Sequence, residues 1–350
     1  MYRDAAASPL SEDELPALFA SFGGCRHILL AVSGGRDSTA MMLLAALRRR
    51  QAGGPDISVA TIDHGLRDES ARECALVLER AASLGLRGLM RRWTGEKPAT
   101  RLQEKAREAR YRLLSEAAAD IGADAIATAH TLDDQAETVL MRLARGSSLD
   151  GLAAMRAATR RGALLHLRPL LGTPRARLTA TLRQAGMPWI DDPSNVDPRF
   201  ERTRIRDLLA ALGPLGLQAE RLALLARRAA RGADALDHVA QATLAAAMRR
   251  DEEGVVLDPG LLAGVPAEIR LRVLEKAIAA VRTGDRPSYR LRLERLESLQ
   301  AEAEAAIAAG RGGWRRSLGG ALVSLDRDGR LLVRPEGERH RGRGPAMPQV

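Results

Sequence analysis

The chain holds two cysteines, Cys25 and Cys74, and they stand 49 residues apart. That excludes a disulfide framework and any CxxC redox or zinc pair. Lysine is almost as scarce: Lys97, Lys105 and Lys276 stand against 51 arginines. Codon bias accounts for arginine over lysine. No window approaches ~18 uninterrupted apolar residues, so no membrane partner or span is expected. The opening stretch, "MYRDAAASPLSEDELPALF", lacks the basic-then-apolar layout of a secretory leader. Ser11 and Glu14 instead fit a capping box opening a short helix. The expected address is cytoplasmic.

The composition is that of a globular protein, with 45% apolar and 28% charged residues. At 350 residues there is room for two or three domains, each with its own core. Residues 1–150 carry 20 basic and 21 acidic side chains, and residues 151–350 carry 34 and 23. The whole excess of +10 therefore sits in the second half, which suggests a polyanionic partner there. Codon bias does not explain that asymmetry.

The first part alternates strands with helices. Apolar, β-branched runs at 27–33 and 57–63, a weaker run at 86–93, and runs at 125–130 and 164–171 predict strands. Helical patterns lie at 37–50, 68–84, 100–120, 133–145 and 174–185. This alternation predicts an α/β fold, a doubly wound parallel sheet covered on both faces, with ligands beyond the carboxyl ends of the strands. Helical patterns follow at 203–212, 216–250, 267–282 and 287–309. A small C-terminal β unit follows, with turns at Gly319–Gly320 and Asp328–Gly329. The expected divisions are 1–215, 216–310 and 311–338, with 339–350 a disordered tail.

"SGGRDS" (33–38) follows the first strand and opens a helix. Gly34 and Gly35 let backbone N–H groups converge on an anion, and the helix N-terminus points at the same place. Ser33 and Ser38 add hydroxyls. The turn matches neither G-x-x-x-x-G-K-[ST] nor G-x-G-x-x-G. Without a lysine it suits the departing pyrophosphate of ATP, with Asp37 placed to hold Mg²⁺. A plain strand–helix turn capped by Ser and Asp would look similar.

Three further motifs stand out. "IDHGLRDES" (62–70) places Asp63 and His64 at a strand end near a nucleotide, with Arg67 for phosphate; an ordinary turn with a solvated arginine explains it as well. "AHTLDDQAET" (129–138) opens a helix on which Asp133 and Glu137 stand at i, i+4 and Asp134 and Glu137 at i, i+3. With His130 they form a candidate Mg²⁺ and acid–base cluster; N-capping by Asp133 is the plainer alternative. "WIDDPSNVDPRFERTRIR" (189–206) brings Arg202, Thr203 and Arg206 toward phosphate, or serves as a linker with a solvated face.

SGGRDS after a strand is the signature of the PP-loop ATP pyrophosphatases. SGGRDS, DHGLR, "EKAREARY" (104–111), HTLDDQAET, "RGSSLDGL" (145–152), RPLL and DPSN together resemble the tRNA(Ile)-lysidine synthetases over about residues 26 to 206. The resemblance implies ATP-dependent ligation of L-lysine to C2 of the wobble cytidine of a tRNA(Ile) with a CAU anticodon. The route runs through an adenylated cytidine to lysidine, AMP and pyrophosphate. By motif, it implies Ser33, Gly34, Gly35, Arg36, Asp37, Ser38, Asp63 and His64 at ATP. It implies Asp37, His130, Asp134, Glu137, Arg202 and Arg206 in catalysis, and Asp37, Asp133 and Glu137 at Mg²⁺. It makes 1–215 the catalytic part and 216–310 a helical tRNA-binding part, and it admits a homodimer. Family members often carry a second His where Thr131 stands and an Asn where Thr203 stands. The rival readings are a tRNA-thiolating PP-loop enzyme, which would want paired cysteines, and a small-molecule amide ligase, which would leave the basic second half idle. A non-catalytic RNA-binding module would leave the acidic cluster without a purpose.

Overall fold

The computed structural model describes residues 7–51, 54–95, 97–98, 100–191, 199, 201–282 and 291–336. The DPSN stretch and the tail expected beyond 338 lie outside these residues. The chain divides into two compact units, Met1–Gly146 with Asp150–Ala229, and Ser147–Leu149 with Ala230–Val350.

The first unit begins with a capping box, in which the Ser11 N–H donates to Glu14 Oε2 at 2.9 Å, and a short helix α1 (Leu15–Leu18). Then come β1 (His27–Ala31), α2 (Arg36–Gln51), β2 (Asp56–Asp63), α3 (Ser70–Ser83), β3 (Arg87–Arg92) and α4 (Leu102–Asp120). They are followed by β4 (Ala125–Ala127), α5 (Leu132–Ala144), α6 (Leu149–Leu152), β5 (Ala158–Arg161) and β6 (Leu164–Leu167). α7 (Arg175–Gln184), α8 (Glu201–Leu212) and α9 (Ala219–Ala247) complete this part, the last running on into the second unit.

The strands order as β3-β2-β1-β4-β6-β5, all parallel except β5 against β6. β1 reads as a continuous apolar run because both sheet faces are covered. Ile28 and Leu30 enter one core with Met41, Leu44, Val59, Leu178 and Leu182. Leu29 and Ala31 enter another with Leu114, Ala117, Ala118 and Ile126. Each fully buried leucine contributes ~1.5–3 kcal/mol of transfer free energy. The expected parallel sheet is present, and β5, whose sequence ATRR is mostly exposed, was not expected as a strand.

Leu222 and Ala226 of α9 pack against Ala136 and Val139 of α5. The segment 216–229 thus belongs with the first unit and buttresses the helix that carries Asp134 and Glu137.

The second unit contains β7 (Met248–Arg250), β8 (Val255–Leu257), α10 (Pro259–Leu262), α11 (Ala267–Val281), α12 (Leu293–Ala308), β9 (Arg315–Leu318), β10 (Ala321–Leu325) and β11 (Leu331–Pro335). Its antiparallel sheet orders as β7-β8-β11-β10-β9. Alternation is clean on β10 and β11, where Ala321, Val323, Leu325, Leu331 and Val333 are buried. They cover α11 through Val273, Leu274, Ala277 and Ile278. No single helix among the described residues is long and apolar enough to cross a membrane.

Candidate active site

β1 pairs with β2 on one side and β4 on the other, so the sheet reverses its winding between β1 and β4. A crevice opens at the carboxyl ends of strands at such a point. The SGGRDS turn follows β1 there, and the HTLDD segment follows β4.

The turn is held by its own polar groups. The Ser38 hydroxyl donates to the Gly35 carbonyl at 2.9 Å and lies 3.2 Å from Ser33 Oγ. The Thr39 hydroxyl donates to the Gly34 carbonyl at 3.0 Å. Gly34 has φ +83°, and a Cβ on it would lie 2.6 Å from Ile190 Cδ1 and 3.1 Å from Val77 Cγ2. Its carbonyl also accepts from the Ile190 N–H at 2.9 Å. Both the left-handed backbone and the close approach demand glycine here. Gly34→Ala is expected both to weaken ATP binding and to lower the melting temperature, checked by titration calorimetry beside thermal unfolding. Undiminished ATP affinity would mean the turn tolerates a shifted backbone.

α5 is capped by Thr131, not Asp133. The Thr131 hydroxyl accepts from the Asp134 N–H at 3.3 Å, while Asp134 Oδ2 accepts from the Thr131 N–H at 2.8 Å. With the cap supplied by Thr131, Asp133 is free to bind elsewhere, and its Oδ2 accepts from the Arg175 N–H at 2.8 Å, at the start of α7. The N-termini of α2, α5 and α7 therefore meet, and their exposed N–H groups and dipoles favour negative charge.

Into this junction α7 projects Arg175. Its guanidinium lies 3.1 Å from Asp37 Oδ2, 3.1 Å from Asp134 Oδ1 and 3.7 Å from Glu137 Oε1. From α8, Arg206 Nε donates to Glu137 Oε1 at 2.6 Å, and Arg202 lies 3.9 Å from Asp134 Oδ1. Burial pushes the carboxyls of Asp37 and Glu137 above their ordinary values, against the pull of the arginines. Burial also opposes the charge on Asp134, but Arg175, the Thr131 N–H and His130 outweigh it and hold that group low. Glu137 is 1% exposed, and its Oε2 has no hydrogen-bond partner among the described residues.

One cavity of about 1030 Å³ is lined by Ser33, Gly35, Arg36, Asp37, Ser38, His64, His130, Asp134, Arg202 and Arg206 among the expected residues. Gly34, Asp63, Asp133 and Glu137 do not line it. Glu137 instead reaches the cluster through Arg175 and Arg206. Asp63 is occupied within its own turn: Oδ1 accepts from the Ser70 hydroxyl at 2.7 Å and the Gly65 N–H at 2.8 Å, and Oδ2 pairs with Arg92 at 3.2 Å. The Ser70 bond above all holds its carboxyl low. Asp63 thus shapes the loop that presents His64, whose buried Nδ1 has no partner among the described residues.

The cavity is also lined by Arg107, Arg110 and Tyr111 of the EKAREARY motif, to which no role was assigned, and by Thr128 and Arg175, which motif reasoning passed over. Arg175 had a local signal. A cation in the first turn of a helix opposes the macrodipole, and such a breach of a local rule marks a side chain held for another purpose.

A PP-loop domain family matches residues 9–212. The tRNA(Ile)-lysidine synthase of a Bradyrhizobium strain is 47% identical over 95% of this chain and 97% of its own length. That of a Methylobacterium strain is 48% identical over 96% and 98%. The chain belongs to the tRNA(Ile)-lysidine synthase family. Its PP-loop domain is an ATP-binding domain. Among solved structures, a U34-tRNA thiolase from Methanococcus maripaludis superposes with a TM-score of 0.53 at 15% identity, over 62% of this chain and 76% of that one. That likeness concerns the synthase fold alone.

Proposed function

We propose that this synthase ligates the ε-amine of L-lysine to C2 of the wobble cytidine in a CAU anticodon of tRNA(Ile), in the cytoplasm, with ATP and Mg²⁺. The observation that carries the reading is the single cavity in which the SGGRDS turn, His130, Asp134 and two arginines of α8 meet. Cytosine O2 is a poor leaving group. Its attack on the α-phosphate forms an O–P bond and expels pyrophosphate; the deprotonated amine then attacks C2 and AMP departs with the former O2. One proton leaves the amine.

The Ser33–Ser38 turn would receive the pyrophosphate, with Arg36 and His64 beside it and Arg202 and Arg206 offering guanidinium N–H groups to phosphate oxygens. Among the described residues no three His, Cys, Asp or Glu side chains gather as a ready-made metal cage. Mg²⁺ needs no such cage, since it is commonly bound through one or two carboxylates, waters and substrate phosphates. Asp37 beside the turn and Glu137 with its unpartnered Oε2 fit that demand, with Asp133 behind them. Bound there, Mg²⁺ would neutralise charge on the phosphates. Arg175 already lies among these carboxylates and keeps them gathered. The proton of the attacking amine has two candidate acceptors, Glu137 and His130. All these groups come from one chain, so a homodimer is not needed for the chemistry.

Sulfur transfer fits less well. Cys74 is buried and accepts from the Thr61 hydroxyl at 3.4 Å, burial raises both thiols, and neither lines the cavity. The test is a product assay. AMP and pyrophosphate should form in equal amounts only when tRNA(Ile) and lysine are both present; release with lysine alone would favour a small-molecule ligase.

A further inference from the structure

From behind the cavity wall a chain of hydrogen bonds runs to Thr128 and ends on His130, both of which line the cavity. Arg168 Nη2 lies 3.1 Å from His166 Nδ1. His166 Nε2 lies 2.9 Å from Thr128 Oγ1, and the same oxygen lies 2.9 Å from His130 Nδ1. Arg168 is itself fixed, since its Nη1 donates to the Arg156 carbonyl at 2.8 Å and the Thr159 hydroxyl at 3.3 Å. His166 and Thr128 are 4% and 5% exposed, and the Tyr111 ring packs edge-on against His166 with centroids 5.5 Å apart.

Donor bookkeeping gives this chain one direction. A guanidinium only donates, so His166 Nδ1 must accept and carries no proton. The ring's proton is then on Nε2 and is donated to Thr128. The Thr128 hydroxyl has one hydrogen, and among the described residues His130 Nδ1 is the acceptor left for it. Were His130 also to donate from Nδ1, two N–H groups would meet on one oxygen and a buried O–H would be orphaned, at a cost of ~1–3 kcal/mol. The Thr128 hydroxyl therefore donates to His130 Nδ1. His130 Nε2 carries the remaining proton, and the ring lines the cavity. Burial is the main reason both rings stay neutral, with His130 held down to about 4 and His166 to about 3. The charged groups around His130 are Asp134 on α5, Arg107 on α4, Arg202 on α8 and Arg168, so one anion stands against three cations.

We infer that Arg168, His166 and Thr128 are positioning residues that fix His130 as the neutral Nε2–H tautomer, so that it donates a hydrogen bond to a substrate oxygen and does not take the proton of the attacking amine. This deepens the ligase reading and rests on it. With Nδ1 occupied and Nε2 already protonated, the ring has no free lone pair for an amine proton, which passes to a carboxylate of the cluster. A neutral N–H donor can stabilise negative charge developing on oxygen without bringing a full positive charge into a site already rich in arginine.

The full-length protein, labelled with ¹⁵N in its six histidines, reports the tautomer directly in two-bond ¹H–¹⁵N correlation spectra at neutral pH without ligands. The His130 signals are identified by their loss in His130→Asn. The expected pattern is a neutral ring protonated at Nε2; an Nδ1–H ring or an imidazolium would overturn the inference. Thr128→Ser should keep the pattern. Thr128→Val removes the donor to Nδ1 and should populate the Nδ1–H form, with kcat for lysidine formation falling in proportion to the lost Nε2–H fraction and KM for ATP held. Full kcat with the Nδ1–H form dominant would also overturn the inference. Should Thr128→Val not fold, Thr128→Ala removes the same hydroxyl and provides the same comparison, and the wild-type spectrum stands by itself. If the wild type shows the Nε2–H ring but forms no lysidine, the ligase reading fails and His130's role with it, while the tautomer assignment holds.

Discussion

Glu137→Gln is expected to slow lysidine formation by roughly 10²–10⁴-fold, the range of a lost acid–base group, with a near-native melting curve. The amide keeps the shape and can still accept from Arg206, so packing around α5 should survive. It lacks the negative charge and basicity that a cation and an amine proton both require. Burial already lifts this carboxyl above its ordinary value, which brings its basicity closer to the working pH. Asp37→Asn should behave likewise, because Asp37 joins the glycine turn to the same cluster through Arg175. Rate measurements on tRNA(Ile) transcripts beside thermal melts separate chemistry from folding. Wild-type turnover in a folded Glu137→Gln protein would remove Glu137 from the reaction.

Arg175→Ala is expected to cost about 3–5 kcal/mol of stability, as removal of one member of a buried ionic network does. The side chain is 16% exposed and neutralises Asp37, Asp134 and Glu137 together. The sign of the pH dependence follows. Without Arg175, Asp37 and Glu137 bind protons more tightly in the folded state than in the unfolded chain. A raised carboxyl is best tolerated below its unfolded value, and its stability is lost as pH rises through the folded one. The deficit of the variant should therefore be largest near neutrality and shrink toward pH ~4. Denaturant melts across that window decide it. A deficit independent of pH would mean that Arg175 acts through packing, not charge.

How much of the fold and site was legible depended on whether a signal was local. β1 and β2 could be read because burial on both faces writes a continuous apolar run, and the glycine turn because its spacing is its mechanism. β5 could not, since an exposed edge strand of sequence ATRR has no apolar pattern to show. β7 was hidden because α9 runs into it without a breaker, and the helical pattern was carried on to residue 250; β8, beyond the turn at Asp251–Gly254, is only three residues long and too short to show a pattern. Within the cavity, His130, Asp134 and the two arginines of α8 were found by motif. Thr128, and His166 behind it, were not, because their meaning lies in their partners across the sheet; Arg175 broke a local rule at the start of α7, but what it serves lies as far as 138 residues away. Asp63 was expected at the nucleotide, but the turn it opens uses both of its oxygens before any ligand could.

Joining of lysine to one cytidine of tRNA(Ile) is tested most directly on the tRNA itself. Isotopically labelled lysine, ATP and Mg²⁺ are incubated with the protein and tRNA(Ile), and the tRNA is digested to nucleosides for mass spectrometry. One new nucleoside is expected, heavier than cytidine by lysine less water, carrying the label and confined to the anticodon wobble position. An unmodified cytidine, or label found elsewhere in the tRNA, would contradict ligation at that base.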